Sequence, residues 1–218
     1  MSSKEIDDAI RAAFDRSGMA LEESARAKLT RYCALLETWN RRIRLVGAAE
    51  PVVMAERHVL DSFLATIDPA GGETLLDAGT GAGLPGIVVA VVRPDVRVTM
   101  IERVAKKVAF VRAAIAELRL TNAEVRRQDL SAIEGRSFDR AISRALMPPA
   151  TWLAQGARVV RDGGAVGVMV ATREEIPPAV AIAGAAPVEL SLAVVREITL
   201  PSDGAKRVLA WFGVTRST

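Results

Sequence analysis

Aromatic residues are scarce: phenylalanine, tyrosine and tryptophan make up 4% of the 218 residues. That is too few for the base-stacking platform of an RNA-recognition or OB module. A single cysteine, Cys33, excludes a disulfide framework and a zinc site built from cysteines. A single histidine, His58, leaves nothing from which to build a histidine-rich metal centre, so no metal is expected. Long hydrophobic runs are missing too. The stretch from Ile87 to Val92 is among the longest, far short of the roughly 20 residues that cross a bilayer. The opening residues, Met1-Ser2-Ser3-Lys4-Glu5, lack the basic-then-apolar order of a secretory signal. The chain therefore reads as a cytoplasmic protein without a membrane partner.

What is present suits a packed core. Half the residues are hydrophobic and a quarter charged, and the length fits one ordinary domain or a domain with a small annex. A net charge of +3 is compatible with a nucleic-acid partner without requiring one. With so few aromatics, RNA would be held by charge and shape.

The chain is organised around Thr74-Leu75-Leu76-Asp77-Ala78-Gly79-Thr80-Gly81-Ala82-Gly83-Leu84-Pro85-Gly86. An apolar run ends in an acid, passes through dense glycines and re-enters an apolar run. That pattern predicts a buried strand, a tight turn and a helix, with the main chain bare enough for a ligand to lie on it.

Before this loop the pattern is helical. Residues 4–16 place Ile6, Ile10, Ala13 and Phe14 on one face, closed by Gly18. From about Leu21, Ala25, Leu29, Tyr32, Cys33, Leu36, Trp39 and Ile43 form a second stripe. Its far end carries Arg41, Arg42 and Arg44, and Gly47 ends it. A third helix is predicted after Pro51, with Val52, Ala55, Val59 and Phe63 in line. Residues 1–70 are thus expected to form a helical cap on the same globule, and residues 71–218 the main domain. There, strands at Glu73–Asp77, Val96–Glu102, Asn122–Arg126, Phe138–Ser143 and Ala165–Val170 alternate with helices, the last from roughly Pro148 to Val160, closed by Asp162-Gly163-Gly164. Such alternation predicts a parallel sheet covered on both faces. Leu190–Arg196 and Arg207–Phe212 then form a hairpin, an antiparallel addition. The fold class is α/β, Rossmann-like.

Gly81-x-Gly83-x-x-Gly86 also satisfies the dinucleotide fingerprint, with Glu102 standing where an acid grips a ribose. Three features oppose an NAD-linked oxidoreductase. Asp77 precedes the glycines, Pro85 offers no N–H to a pyrophosphate, and the chain ends in a hairpin instead of a second nucleotide-binding half. An acid before the glycines suits a ligand with a cationic amino-acid end, such as S-adenosylmethionine, and Glu102 would accept its ribose hydroxyls. Asp77 could alternatively serve as a carboxylate that caps loop N–H groups.

Several segments together resemble the bacterial ribosomal small-subunit methyltransferases called RsmG or GidB. They are Arg57-His58-Val59-Leu60-Asp61-Ser62, the loop Asp77 to Gly86, Lys107-Val108-Ala109-Phe110, Glu117-Leu118-x-Leu120-x-Asn122 and Phe138-Asp139-x-Ala141-Ile142-Ser143-Arg144-Ala145, with Trp39-Asn40 near the end of the second helix. The resemblance implies a class I methyltransferase sheet and transfer of a methyl group from S-adenosylmethionine to guanine N7 of 16S rRNA, naked or in the small subunit, by a monomer. It also implies cofactor contacts at Gly79, Leu84, Leu130, Ser131 and Arg144, beside Asp77, Gly81, Gly83 and Glu102. The chain departs from the family pattern at Arg44-Leu45-Val46, Met169-Val170-Ala171, Ser131 and Lys206-Arg207. Another RNA or a small molecule as substrate, and a non-catalytic ribosome-assembly factor, stand as alternatives.

Guanine N7 carries a lone pair and no proton, so no general base is required and no catalytic residue is assigned. Positioning would do most of the work. On the substrate side, Arg57, His58 and Asp61 are spaced either for an ion pair that seats their helix or for a pocket rim touching RNA phosphate or cofactor. Arg144, at a strand's C-terminal end, either pairs with Asp139 or Asp129 or meets ligand. Arg41, Arg42 and Arg44 read as a solvated helix end or as part of an RNA track. Lys106-Lys107 and Arg126-Arg127 read as ordinary surface, Trp152 and Trp211 as core, and Cys33 as inert.

Overall fold

The computed structural model describes residues 2–47, 49–182 and 187–216. Helix α1 (Ser3–Ser17) opens on a reciprocal cap: the Ser2 hydroxyl accepts from the Glu5 N–H at 3.2 Å, and the Glu5 carboxylate accepts from the Ser2 N–H at 2.8 Å. Its predicted stripe is buried, and Gly18 closes it at φ +70°. Helix α2 (Glu23–Asn40) is shorter than its apolar stripe suggests. The Asn40 side chain turns back and accepts from the Leu45 and Val46 N–H groups at 2.8 and 3.0 Å, which holds a loop where the helix would continue. Arg41, Arg42 and Arg44 therefore stand beyond the helix, not in its last turn.

The third helical segment is not a plain α-helix. It runs as α3 (Pro51–Val53), a π-helical stretch (Met54–Leu60), α4 (Asp61–Phe63) and a 3-10 turn (Leu64–Thr66). Ala55 and Val59 of the expected stripe are buried and Phe63 is half-buried. Val52 is left 42% exposed, while Met54 and even Glu56 turn inward. Glu56 is matched there by the Ser202 N–H at 2.9 Å and the Ser202 hydroxyl at 2.6 Å.

The main domain follows as β1 (Thr74–Ala78), α5 (Gly86–Val92), β2 (Arg97–Glu102), α6 (Ala105–Glu117), β3 (Ala123–Arg127), β4 (Phe138–Arg144), α7 (Pro149–Gly156), β5 (Val160–Val170), β6 (Val180–Ile182), β7 (Val188–Thr199) and β8 (Lys206–Arg216). One sheet has the order β3-β2-β1-β4-β5-β8-β7-β6. The pairs among β1 to β5 are parallel, and β8, β7 and β6 add antiparallel. The parallel sheet with a terminal hairpin is thus present, with β6 as an unforeseen edge strand. The helix after Pro148 ends at Gly156, earlier than expected, and Asp162-Gly163-Gly164 lies inside β5. Gly164 is needed there, because a Cβ would sit 2.4 Å from the Asp139 carbonyl oxygen.

Alternation along the strands divides the core between two faces. Leu75, Val98 and Met100 join α1, α2, α5 and α6 in one buried cluster that reaches from Ile6 to Trp211. Leu76, Ala78 and Ile101 join Trp152, Leu153 and Phe212 in the other. Trp152 and Trp211 are core, as expected. The first 66 residues share the first cluster with the sheet, so the N-terminal helices close one face of it. No helix among the described residues is long and apolar enough to cross a membrane.

Candidate active site

The loop after β1 is built around Asp77, which is fully buried. One carboxylate oxygen, Oδ2, accepts from the Thr80 hydroxyl at 2.5 Å and from the Gly86 N–H at 2.8 Å. The capping reading therefore holds for this oxygen, and the first N–H of α5 is spent inward. The other oxygen, Oδ1, is buried without a hydrogen-bond partner among the described residues. Burial pushes the Asp77 carboxyl up to about 6, against the pull of Thr80 and Gly86. Gly79, Gly81 and Gly83 all take positive φ, between 58° and 85°, the left-handed region that glycine enters freely. Tyr32 on α2 pins the loop from beneath, its hydroxyl donating to the Ala82 carbonyl at 2.7 Å. Burial pushes the phenol well up, so it remains a donor.

Beside the loop, at the C-terminal ends of β1, β2 and β4, lies a cavity of about 580 Å³. Gly79, Glu102 and Leu130 of the sequence-derived cofactor set line it, together with Lys107, Gln128 and Met147. Glu102 is oriented by two main-chain donors: its Oε2 accepts from Gly81 at 3.2 Å and its Oε1 from Val104 at 2.8 Å. Each oxygen keeps a lone pair for a ligand hydroxyl. Leu146 leans on Gly79, where a Cβ would come within 2.6 Å of its side chain. Asp77, Gly81, Gly83 and Leu84 shape the loop behind the cavity and do not line it. Ser131 is turned to Asp129, donating through its hydroxyl at 2.7 Å. Lys107, expected to be ordinary surface, lines the cavity because it lies in the first turn of α6, directly after the end of β2.

A second cavity, of about 330 Å³, opens at the ends of β4 and β5, and Ala145 and Met147 line both. Arg144 belongs to this second space. It pairs with neither Asp139 nor Asp129: its guanidinium reaches Asp61 at 3.4 Å and the Arg57 carbonyl at 3.3 Å. Burial pushes the Asp61 carboxyl up, while Arg144 and Arg207 draw it back. Ala145, at φ +55°, is one of two non-glycine residues with positive φ among those described. Strain of this kind collects where a loop is shaped for a ligand.

The remaining candidates divide. Arg57 does not pair with Asp61; it is exposed and bridges to Asp203 in the β7–β8 turn. His58 is half-buried in the π-helical stretch. Arg41 is exposed and pairs with Glu37, at 2.5 Å, and Arg42 and Arg44 are exposed beyond α2. None of these five residues lines either cavity. Cys33 is buried, its thiol pushed up to about 12, and it stays unreactive.

Comparison with known proteins bears on the whole chain. The family model GidB, rRNA small subunit methyltransferase G, matches residues 25–179. A protein of Anaeromyxobacter dehalogenans strain 2CP-C named ribosomal RNA small subunit methyltransferase G is 40% identical over 206 residues, covering 93% of this chain and 95% of that protein. One of the same name from Chromohalobacter salexigens is 34% identical over 197 residues, covering 88% and 89%. Among solved structures, P. horikoshii TYW2 in complex with MeSAdo aligns with a TM-score of 0.56 at 14% identity, over 73% of this chain and 63% of that one. M. jannaschii TYW2 in complex with AdoMet aligns at 0.54 and 16% identity, over 73% and 76%. These structural likenesses concern the fold, the class I methyltransferase sheet.

Proposed function

The chain belongs to the rRNA small subunit methyltransferase G family, and from that premise we propose that it transfers a methyl group from S-adenosylmethionine to N7 of a guanine in 16S rRNA. We further propose that residues 71–218 form the methyltransferase domain under a cap formed by residues 1–70, acting as a cytoplasmic monomer. The observation that carries the reading is the meeting of two cavities at Ala145 and Met147, one lined by Gly79 of the glycine loop and by Glu102, and the other at the neighbouring strand ends.

The residues fit the cofactor. Glu102 has spare acceptor capacity for a ribose diol, and the Asp77 carboxylate, whose Oδ1 has no hydrogen-bond partner among the described residues, supplies a negative charge behind the cavity that favours a cationic amino-acid end. S-adenosylmethionine, when bound, supplies a methyl group on a positively charged sulfur, which leaves as a neutral thioether. The chain's part is to hold, align and exclude water. Guanine N7 arrives with its lone pair in the ring plane and no proton to lose, so the absence of an assigned base is consistent with the chemistry. The methylated ring is cationic, and the Asp61 carboxylate beside the second cavity favours that charge. In-line placement of the two groups supplies most of the rate.

A dinucleotide is disfavoured because the N–H of Gly86 that would meet a pyrophosphate is given to Asp77. The test is transfer of labelled methyl from S-adenosylmethionine to naked 16S rRNA, to small subunits lacking the modification and to a metabolite panel, with calorimetry against S-adenosylmethionine and NAD. Label in rRNA or subunits, with binding of S-adenosylmethionine alone, is expected. Binding of NAD alone contradicts the proposal. So does RNA binding without transfer, which would indicate an assembly factor.

A further inference from the structure

The second cavity is the better place to ask how a target base is chosen. At about 330 Å³ it sits at the small end of ligand cavities, roughly 300–1,000 Å³, the class for one ring system. Its inner wall is apolar, with Trp152, Val168 and Val170, which suits the face of a heterocycle. Its rim is polar and carries both signs: Asp61 and Glu175 against Arg144 and Arg207. Two of the four are already engaged with each other, Asp61 with Arg144. Glu175, in the 3-10 turn Arg173–Glu175 after β5, is exposed, and no hydrogen bond or ion pair holds its carboxylate among the described residues. Arg207, half-buried at the start of β8, donates one guanidinium N–H to the Lys206 carbonyl at 2.5 Å and keeps others for a ligand.

Resting on the methyltransferase reading above, we propose that this cavity receives the target guanine, with Glu175 accepting its N1–H and N2–H and Arg207 donating to O6, so that N7 faces the junction at Ala145 and Met147 where the cofactor cavity begins. The chemistry selects the base. An ionised carboxylate is acceptor-only and matches the donor pair on guanine's Watson–Crick edge. Adenine presents an N1 lone pair at that position and would be repelled, and pyrimidines have no N7. Specificity built from paired polar groups is steep, because the wrong base leaves them unpaired. Reading that edge also requires the base to be out of any helix, so the target is an unpaired or splayed guanosine. Bond making is as given above: N7–CH3 forms as S–CH3 breaks, the electron pair stays on sulfur and the positive charge moves to the ring.

The test compares wild type with Glu175→Gln and Arg207→Met, using S-adenosylmethionine and small ribosomal subunits that lack the methyl group. Steady-state transfer, cofactor affinity by calorimetry and thermal midpoint are measured for each. Both variants are expected to fold and bind cofactor as wild type does, while each loses roughly 10–100-fold in kcat/KM, the weight of a charged hydrogen bond. RNA with inosine at the target, which lacks the N2 amino group, is expected to be a poorer substrate for wild type but to cost Glu175→Gln less. Undiminished transfer by both variants overturns the assignment. So does a matching loss of cofactor affinity, which would make the cavity an extension of the cofactor site. An inactive wild type would instead show that the methyltransferase reading itself fails.

Discussion

At the scale of single residues, the two oxygens of Asp77 stand in different surroundings. Oδ2 ties Thr80 and Gly86, and Oδ1 is buried without a hydrogen-bond partner among the described residues. A carboxyl whose pKa is higher in the fold than in the unfolded chain weakens the fold as pH rises from about 4 through about 6, and costs nothing below that window. A cationic ligand end favours the ionised form, so S-adenosylmethionine affinity should rise with pH over the same region. Calorimetry should find binding about tenfold weaker at pH 5 than at pH 7 in wild type, with a flat profile for Asp77→Asn. A flat wild-type profile would place the amino end elsewhere. The glycines are unequal as well. A Cβ on Gly86 would meet Met100 at 2.6 Å and Asp77 at 2.8 Å, whereas one on Gly81 meets nothing nearer than the Gly79 carbonyl at 3.9 Å. Gly81→Ala should therefore cost only its positive φ, about 1 kcal/mol, and Gly86→Ala about 2–4 kcal/mol in urea unfolding. Equal costs would contradict the packing described.

Among the elements, α2 matters for function although it lies far from the loop in sequence. Tyr32 reaches Ala82, with Phe110 of α6 beside it at 6.1 Å between ring centroids. Tyr32→Phe leaves a buried carbonyl unpaired, which costs about 1–3 kcal/mol. Part of that cost should appear as weaker cofactor binding by calorimetry, with the subunit KM unchanged. Unaltered cofactor affinity would show that the loop holds its shape alone. Most elements were legible because periodicity is local: α1, β1, β2 and the loop fall within one or two residues of expectation. The failures share a cause. Asn40 ends α2 through contacts five and six residues ahead, and the π-helical turn buries Glu56 against Ser202, 146 residues away. Gly164 looks like a helix stop in one dimension and is a close approach between strands in three. A hydrophobic stripe carries none of that.

Over the whole molecule, the acid-and-glycine pattern leads to the loop beside the proposed cofactor cavity, but most of what lines that cavity comes from elsewhere. Lys107, Gln128 and Met147 arrive from three separate segments, and Glu175 and Arg207 border the second cavity only because β5 and β8 are neighbours. Arg57, His58 and the arginines beyond α2 stood out by charge, yet line neither space. A family resemblance names the loop well because its chemistry is compressed into ten residues; the base-binding side is dispersed and leaves no comparable pattern. The arrangement as a whole has one purpose in this reading, to bring a methyl-bearing sulfur and a ring nitrogen into line where the two cavities meet at Ala145 and Met147. The direct measurement is mass mapping of nucleotides in 16S rRNA from small subunits incubated with the protein and S-adenosylmethionine. A single guanine carrying one new methyl group, at a site that strand cleavage after reduction identifies as N7, is the predicted result. Unmodified rRNA, or a methyl group on another base or on ribose, would contradict it.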